Sequence, residues 1–406
     1  MFYLRCITCG SEYEEGDVEY TCPRCGMRMG TLEVLYDYDR IKVSREDFSP
    51  CADMWQFRKI LPFKREVCRT HLRVGSTPLY SFPNIAKKFG LSNLLVKYDG
   101  SNPTGSYKDR ASAVAIAKAV EYGYKDIYCA STGNAASSLA GLAASSQLKA
   151  HIFVPASSPR AKMSQIVVYG ADLIAIDGTY DEAFDISLKV GSIKGWFSRN
   201  SAINPYLLEG KKTGALEIIV QNNWNVPDTV IVPVGDGTVI SSIYKGFYDF
   251  KELGLINKIP RLIGVQATGA DRVVRAFENG SPYQPDDGNA HSVADSISVG
   301  KPRDVVKACK YVKNSCGFFI RVSDQDIVSA VQELARSTGI FAEPAGAAPF
   351  AALRFLFDVN QLSHESVCLL ITGNGLKDVR AVENVDNIKT VKPDVDSVLK
   401  FLEHSR

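Results

Sequence analysis

No run of residues approaches the roughly 18 consecutive apolar side chains that a membrane-spanning helix requires. The opening residues Met1, Phe2, Tyr3, Leu4, Arg5 and Cys6 carry no secretory signal. An excess of one charge is missing too: 47 Lys and Arg face 45 Asp and Glu in 406 residues, a net charge of +2. Proteins that hold nucleic acid or an anionic membrane depend on a marked basic excess, so neither partner is expected. Histidine is sparse, and His71, His151, His291, His364 and His404 form no pair at ligand spacing, so none receives a role. Internal repeats and low-complexity segments are also absent. What remains is a cytoplasmic protein acting on a small molecule, with a homodimer as the expected assembly.

Ten cysteines need explaining in such a compartment. Cys6 and Cys9 are followed by Gly10, and Cys22 and Cys25 by Gly26, giving two Cys-x-x-Cys-Gly knuckles separated by residues 10–21. That spacing gathers four thiolates around one tetrahedral Zn²⁺, and the glycine after each pair permits the tight turn of a knuckle. With four protein ligands no position is open for chemistry, so the zinc is expected to be structural and to supply folding energy that so short a segment cannot bury for itself. Between the knuckles stand Glu12, Glu14, Glu15, Asp17 and Glu19 with no basic residue, a surface that would repel phosphates rather than dock nucleic acid. Cys51, Cys68, Cys129, Cys309, Cys316 and Cys368 show no ligand spacing and read as buried or incidental thiols.

The length allows two sizeable domains beside this small appendage. Leu32 to Tyr38 and the stretch to Arg73 read as a connecting arm with short helices. Beyond Ser76, short apolar runs alternate with longer amphipathic ones. Strands are expected at Asn93–Tyr98, Asp126–Ala130, Ala150–Val154, Ala171–Ile176, Thr229–Val234, Arg261–Val265 and Val367–Ile371. Helices are expected at Ala111–Tyr122, Ala135–Gln147, Ser158–Tyr169, Tyr180–Lys194, Gly210–Asn222, Ser241–Leu253, Ser323–Thr338 and Pro349–Leu356. Alternation of this kind predicts an α/β protein of mainly parallel sheets covered by helices on both faces, with functional loops at the carboxyl ends of the strands. Asn279 to Asn289 reads as a plain surface loop.

The loops at those strand ends carry the chemistry. Pro103 and Gly105 force a turn after Leu94–Tyr98 and deliver Lys108 to a helix entrance, where the helix dipole and the neighbouring Arg110 disfavour its charge. A lysine with a lowered pKa is an amine able to attack a carbonyl near neutral pH. Ser131, Thr132, Gly133 and Asn134 close one strand and open a helix, making a nest of backbone N–H donors suited to a carboxylate. Gly235, Asp236, Gly237, Thr238 and Val239 repeat the pattern and suit a phosphate. Phe341 to Ala347 and Thr372, Gly373, Asn374, Gly375, Leu376, Lys377 and Asp378 complete the set.

In this order and spacing the motifs resemble the tryptophan synthase β-like (fold type II) family of pyridoxal-phosphate enzymes, and the closing Thr372–Asp378 motif resembles its threonine synthase branch. The resemblance implies two three-layer α/β/α domains: a zinc ribbon at 1–40, a large domain at 41–110 and 206–406, and a small domain at 111–205. It implies pyridoxal phosphate bound covalently at Lys108. Asn134 would hold the ring hydroxyl oxygen, the Gly235–Val239 turn the phosphate, and Thr372 the ring nitrogen. Ser131, Thr132, Asn200, Ser201 and Lys211 would bind an amino-acid substrate. The implied reaction converts O-phosphohomoserine and water to threonine and phosphate by γ-elimination and β-addition. The alternative is β-replacement or β-elimination on another amino acid, as in cysteate synthase or serine and threonine dehydratases. Two departures stand out: Leu207 and Val239 occupy positions where the branch usually has arginine and asparagine. Leucine cannot grip a phosphate, and Lys211, four residues on, is the substitute the helix offers.

Overall fold

The computed structural model describes residues 2–64, 70–146, 148–158, 160–382 and 390–403. Cys68 and His404, with Gln147 and Pro159 inside two of the expected helices, lie outside the described residues. Three sheets are formed. Strands β1 (Phe2–Cys6), β2 (Glu12–Tyr13) and β3 (Leu32–Tyr36) make an antiparallel sheet in the order β2-β1-β3. Strands β4 (Leu79–Ser81), β5 (Asn93–Tyr98), β10 (Thr229–Pro233), β11 (Arg261–Ala267), β12 (Phe318–Val322) and β13 (Ser366–Ile371) make the largest sheet, ordered β12-β11-β10-β13-β5-β4. It is parallel except at the β4–β5 edge. Strands β6 (Asp126–Ala130), β7 (Lys149–Pro155), β8 (Asp172–Ile176) and β9 (Phe197–Ser198) form an all-parallel sheet ordered β8-β7-β6-β9.

Three readings change. Leu32–Tyr36 is a strand of the ribbon, paired along its length with β1, and not part of an arm. All five of its residues are buried between ribbon and body, which erases the alternation that would mark a strand. The helices that follow the motif loops begin earlier than expected, at Lys108, Asn134, Thr238 and Pro344. The motif residues are therefore first-turn residues, whose N–H groups have no partner inside the helix. The loop 279–289 is tied down: Arg272 pairs with Asp286 at 3.1 Å and Arg28 reaches Asp287 from the ribbon at 2.5 Å.

Apolar burial builds each sheet's core, and buried charge ties the strand β5 to the helices that flank it. The Arg110 side chain is fully buried and bonds two carboxylates. Its Nε lies 2.6 Å from Asp99 Oδ2, and its Nη1 and Nη2 each lie 2.7 Å from the Glu217 oxygens. Lys97, equally buried, reaches Glu217 Oε2, the Thr77 carbonyl and Gln221 Oε1, each at 2.7 Å. Two cations meet two anions, so the cluster is neutral and its donors are satisfied. A second buried cluster docks the ribbon: Tyr36 bonds Glu209, while Tyr38 Oη lies 2.6 Å and Lys212 Nζ 2.5 Å from Asp249. The acidic stretch between the knuckles is partly spent the same way, since Glu15 pairs with Lys118 at 2.6 Å and Lys64 at 2.8 Å.

Removing one partner of a buried, hydrogen-bonded pair strands the other, at a cost of about 3–5 kcal/mol. Arg110→Ala should lower unfolding stability by about that much, whereas Lys88→Ala, which breaks the exposed Lys88–Glu333 pair, should cost no more than ~1 kcal/mol. Equal losses in urea unfolding of the two variants would contradict a structural role for the network.

Candidate active site

Four strand ends converge on one cleft. The chain leaves β5 through 99–107 to Lys108, β6 through 131–133 to Asn134, β10 through 234–237 to Thr238, and β13 directly into Thr372. Side chains from all four line the cleft, which holds about 890 Å³ of open space including its mouth. Lys108, Ser131, Asn134, Asn200, Ser201, Gly235, Asp236, Gly237, Thr238, Val239 and Thr372 all border it. Thr132 borders the adjoining opening with Ser137, Asp295 and Lys377. Lys211 and Leu207 lie behind the cleft, around a small void shared with Thr238, Asp304 and Lys307.

Lys108 is the first residue of the helix Lys108–Glu121. Burial pushes its pKa down, and Arg199 pushes it further, against the opposing pull of Glu343 and Asp236. The charge that disfavours the ammonium is therefore Arg199 rather than Arg110, whose guanidinium is turned away and neutralised by Asp99 and Glu217. Among the described residues no carboxylate comes within ion-pair distance of Lys108. Asn134 opens its helix with its amide aimed across the cleft, Nδ2 donating to both Glu343 oxygens at 3.0 and 2.9 Å and to Ser296 Oγ at 3.2 Å. Glu343 is buried and its pKa is raised by that burial.

The turn before the helix Thr238–Glu252 is built around two glycines. At Gly237, φ is +97° and a Cβ would lie 2.9 Å from the Ala308 Cβ and 3.0 Å from the Asp304 carbonyl. Only glycine fits there. The Asp236 carboxylate accepts from the Arg303 backbone N–H at 3.0 Å. Lys211 Nζ donates to Thr238 Oγ1 at 2.7 Å. Its pKa is held well below the ordinary lysine value by burial and by the positive charges of Lys108 and Arg199. It is buried rather than solvated, and its Nζ is delivered to the turn.

Other assignments resolve differently. The side chain of Asn200 joins strands: its Oδ1 accepts from the Ala130 N–H at 2.8 Å and its Nδ2 donates to Ser187 Oγ at 3.3 Å. Leu207 is buried in the apolar core. Val239 is partly buried and borders the cleft. Sequence reasoning gave no role to Glu343, Ser296, Arg303 or Arg199. Glu343 stood inside a quoted motif. Arg199 follows the two-residue strand β9, too short to register as a strand, and so had no visible place in the cleft.

The donor set fits pyridoxal phosphate. A partly buried lysine with no carboxylate partner among the described residues suits its aldehyde, a glycine turn at the start of a 15-residue helix suits its phosphate, and Thr372 offers a neutral hydroxyl. In the ribbon the Sγ atoms of Cys6, Cys9, Cys22 and Cys25 lie within 4.8 Å of one another, a spacing compatible with one metal ion. Gly10 and Gly26, at φ of +72° and +70°, make the two knuckle turns.

The family profile "Pyridoxal-phosphate dependent enzyme" matches residues 71–373. A threonine synthase of Methanosarcina acetivorans is 39% identical over 394 residues, covering 96% of this chain and 96% of its own. One of Methanocaldococcus jannaschii is 39% identical over 411 residues, covering 98% of this chain and 99% of its own. Among solved structures, maize serine racemase aligns with a TM-score of 0.65 at 23% identity, over 87% of this chain and 99% of that one. At that identity the likeness concerns the fold, that of fold type II enzymes.

Lys108 carries a cost that depends on pH. Its folded pKa is below the ordinary 10.5, so the penalty is fully present below the folded value and fades as pH rises through 10.5. The apoprotein of Lys108→Met should therefore melt above wild-type apoprotein at pH 7, with the gap closing toward pH 10.5. An equal gap at both pH values would show that the ammonium is not penalised.

Proposed function

The chain belongs to the pyridoxal-phosphate-dependent enzymes, in their threonine synthase branch, and we propose that it converts O-phosphohomoserine and water to threonine and phosphate with the residues of this cleft. The observation that carries the reading is the convergence of a partly buried Lys108, which no carboxylate among the described residues pairs, with Asn134, the Gly235–Val239 turn and Thr372.

In this reading Lys108 anchors the cofactor, Asn134 holds its ring hydroxyl oxygen, and the N–H groups of Gly235 to Val239 hold its phosphate with the charge of Lys211 behind Thr238. Thr372 gives the ring nitrogen a hydroxyl instead of a carboxylate. When bound, pyridoxal phosphate supplies the electron sink that lets a proton leave Cα. Ser131, Thr132 and the amides beyond them take the α-carboxylate and orient the Cα–H bond. The Lys108 amine, whose pKa is lowered by burial and by Arg199, accepts the proton from Cα and moves protons at Cβ. The Cγ–O bond breaks and phosphate departs, the proton drawn from Cβ is delivered to Cγ to make the methyl group, water adds its hydroxyl at Cβ with its proton going to the released phosphate, and the Cα proton is returned. Asn200 and Ser201 sit beside the substrate. Lys211 adds positive charge at the turn for the substrate phosphate as well, though through Thr238.

Four cysteine ligands and two knuckle turns support a structural Zn²⁺ in the ribbon. The domain division, the cytoplasmic location and a homodimer belong to the same proposal. Among the described residues no helix is long and apolar enough to cross a membrane.

Purified protein should show an absorbance band near the visible edge that Lys108→Ala abolishes, and should release phosphate and threonine from O-phosphohomoserine. The same band without phosphate release would keep the cofactor and redirect the search to β-replacement or β-elimination on another amino acid. The protein should also carry about one zinc per chain, the content of a single four-cysteine site. Cys22→Ser should lose the metal and melt lower, while Cys316→Ser, an exposed thiol, should change neither. Full zinc content in Cys22→Ser would remove the ribbon site.

A further inference from the structure

Buried cations in this chain fall into two groups. Arg110, Lys97, Lys212 and Lys245 each meet a carboxylate. Arg199 does not. Its side chain is fully buried and borders the cleft, yet its contacts are all neutral: Nε to Ser112 Oγ at 3.0 Å, Nη1 to Ser201 Oγ at 3.2 Å and Nη2 to the Lys108 carbonyl at 3.4 Å. Among the described residues no carboxylate lies within ion-pair distance. A guanidinium has five N–H donors, so two remain beyond these three acceptors. Burying such a charge without a counter-ion is costly. Lys108 and Lys211 both feel its charge as repulsion, while the buried Asp109 attracts it from beyond ion-pair distance. A fixed, uncompensated guanidinium bordering a cleft is a site made for an anion that arrives with the ligand.

The ligand brings three anionic groups, and two have places. The cofactor phosphate has the Gly235–Val239 turn, and the α-carboxylate has the first-turn amides after Ser131. The ester phosphate of the substrate has no direct ligand, because Leu207 is buried in apolar packing and Lys211 acts only through Thr238. Arg199 lies on the segment that leads into the helix Tyr206–Gln221, on which Leu207 sits. It brings a guanidinium into the cleft from the end of β9, where the helix offers leucine. We propose that Arg199, with Ser201 beside it, binds the phosphate of the substrate and is the residue that selects a substrate carrying a dianionic leaving group. The proposal rests on the threonine synthase reading for the identity of the substrate, but the anion site does not.

The test uses holoenzyme and the variants Arg199→Gln and Arg199→Lys. Inorganic phosphate is titrated calorimetrically, steady-state kinetics are run with O-phosphohomoserine, and cofactor absorbance and melting temperature are recorded for each protein. Arg199→Gln should raise KM for O-phosphohomoserine and weaken phosphate binding, each roughly 100-fold, the size of one lost charge-assisted contact in a buried site. Cofactor absorbance should be unchanged, and Arg199→Lys should recover part of both losses. Wild-type KM and phosphate affinity in Arg199→Gln would overturn the proposal, as would loss of the cofactor band in both variants, which would make Arg199 a support for the cofactor. If wild-type enzyme turns over no O-phosphohomoserine, the threonine synthase reading fails while the titration still decides: phosphate bound by wild type and not by Arg199→Gln upholds the anion site, and equal binding rejects it.

Discussion

The bidentate grip of Arg110 on Asp99 and Glu217 is the constraint from which the cleft follows. Asp99 ends β5, Arg110 lies in the first turn of the helix that Lys108 opens, and Glu217 lies on the helix Tyr206–Gln221. One planar guanidinium thus fixes a strand end and two helices at once, and a planar fork tolerates little rotation. Lys108 stands two residues before Arg110, so its direction is set by a contact that takes no part in the chemistry. Because the cluster is neutral, it fixes that direction without adding field to the cleft.

The electrostatics divide accordingly. Cations matched by carboxylates hold the frame together and dock the ribbon through Tyr36, Tyr38, Glu209, Asp249, Lys212 and Lys245. Among the described residues Lys108, Arg199 and Lys211 have no such partners, and they gather around the space where anionic ligands belong. Each raises the cost of the others' charge, which is why burial and mutual repulsion act in the same direction on Lys108 and Lys211. An anionic ligand supplies the matching negative charge.

The two sheets meet at this cleft through few direct contacts. Lys301 Nζ lies 2.9 Å from Asp181, Arg303 stacks 3.8 Å over the Phe184 ring, and Asn134 reaches Glu343. All of these border or neighbour the ligand space, so binding and the seating of the two sheets share the same groups.

Much of this was legible beforehand because it is local. Short apolar runs such as Asn93–Tyr98 and Asp126–Ala130 announce parallel strands, glycine turns announce where they end, and two Cys-x-x-Cys-Gly knuckles announce a ribbon, since each depends on neighbours in the chain. Local patterning also placed Lys108 at a helix entrance. It could not say which charge Lys108 meets, because Arg110 and Arg199 differ in partners contributed by residues far along the chain. Nor could it read β3, whose burial on both faces comes from docking, or the commitment of Asn200 to joining β6 and β9. The sequence by itself determined the fold class, the cysteine knuckles and the strand-end loops that carry the chemistry. The tertiary structure alone decided which buried cations are neutralised and which face the cleft, because that depends on where carboxylates from distant segments come to rest.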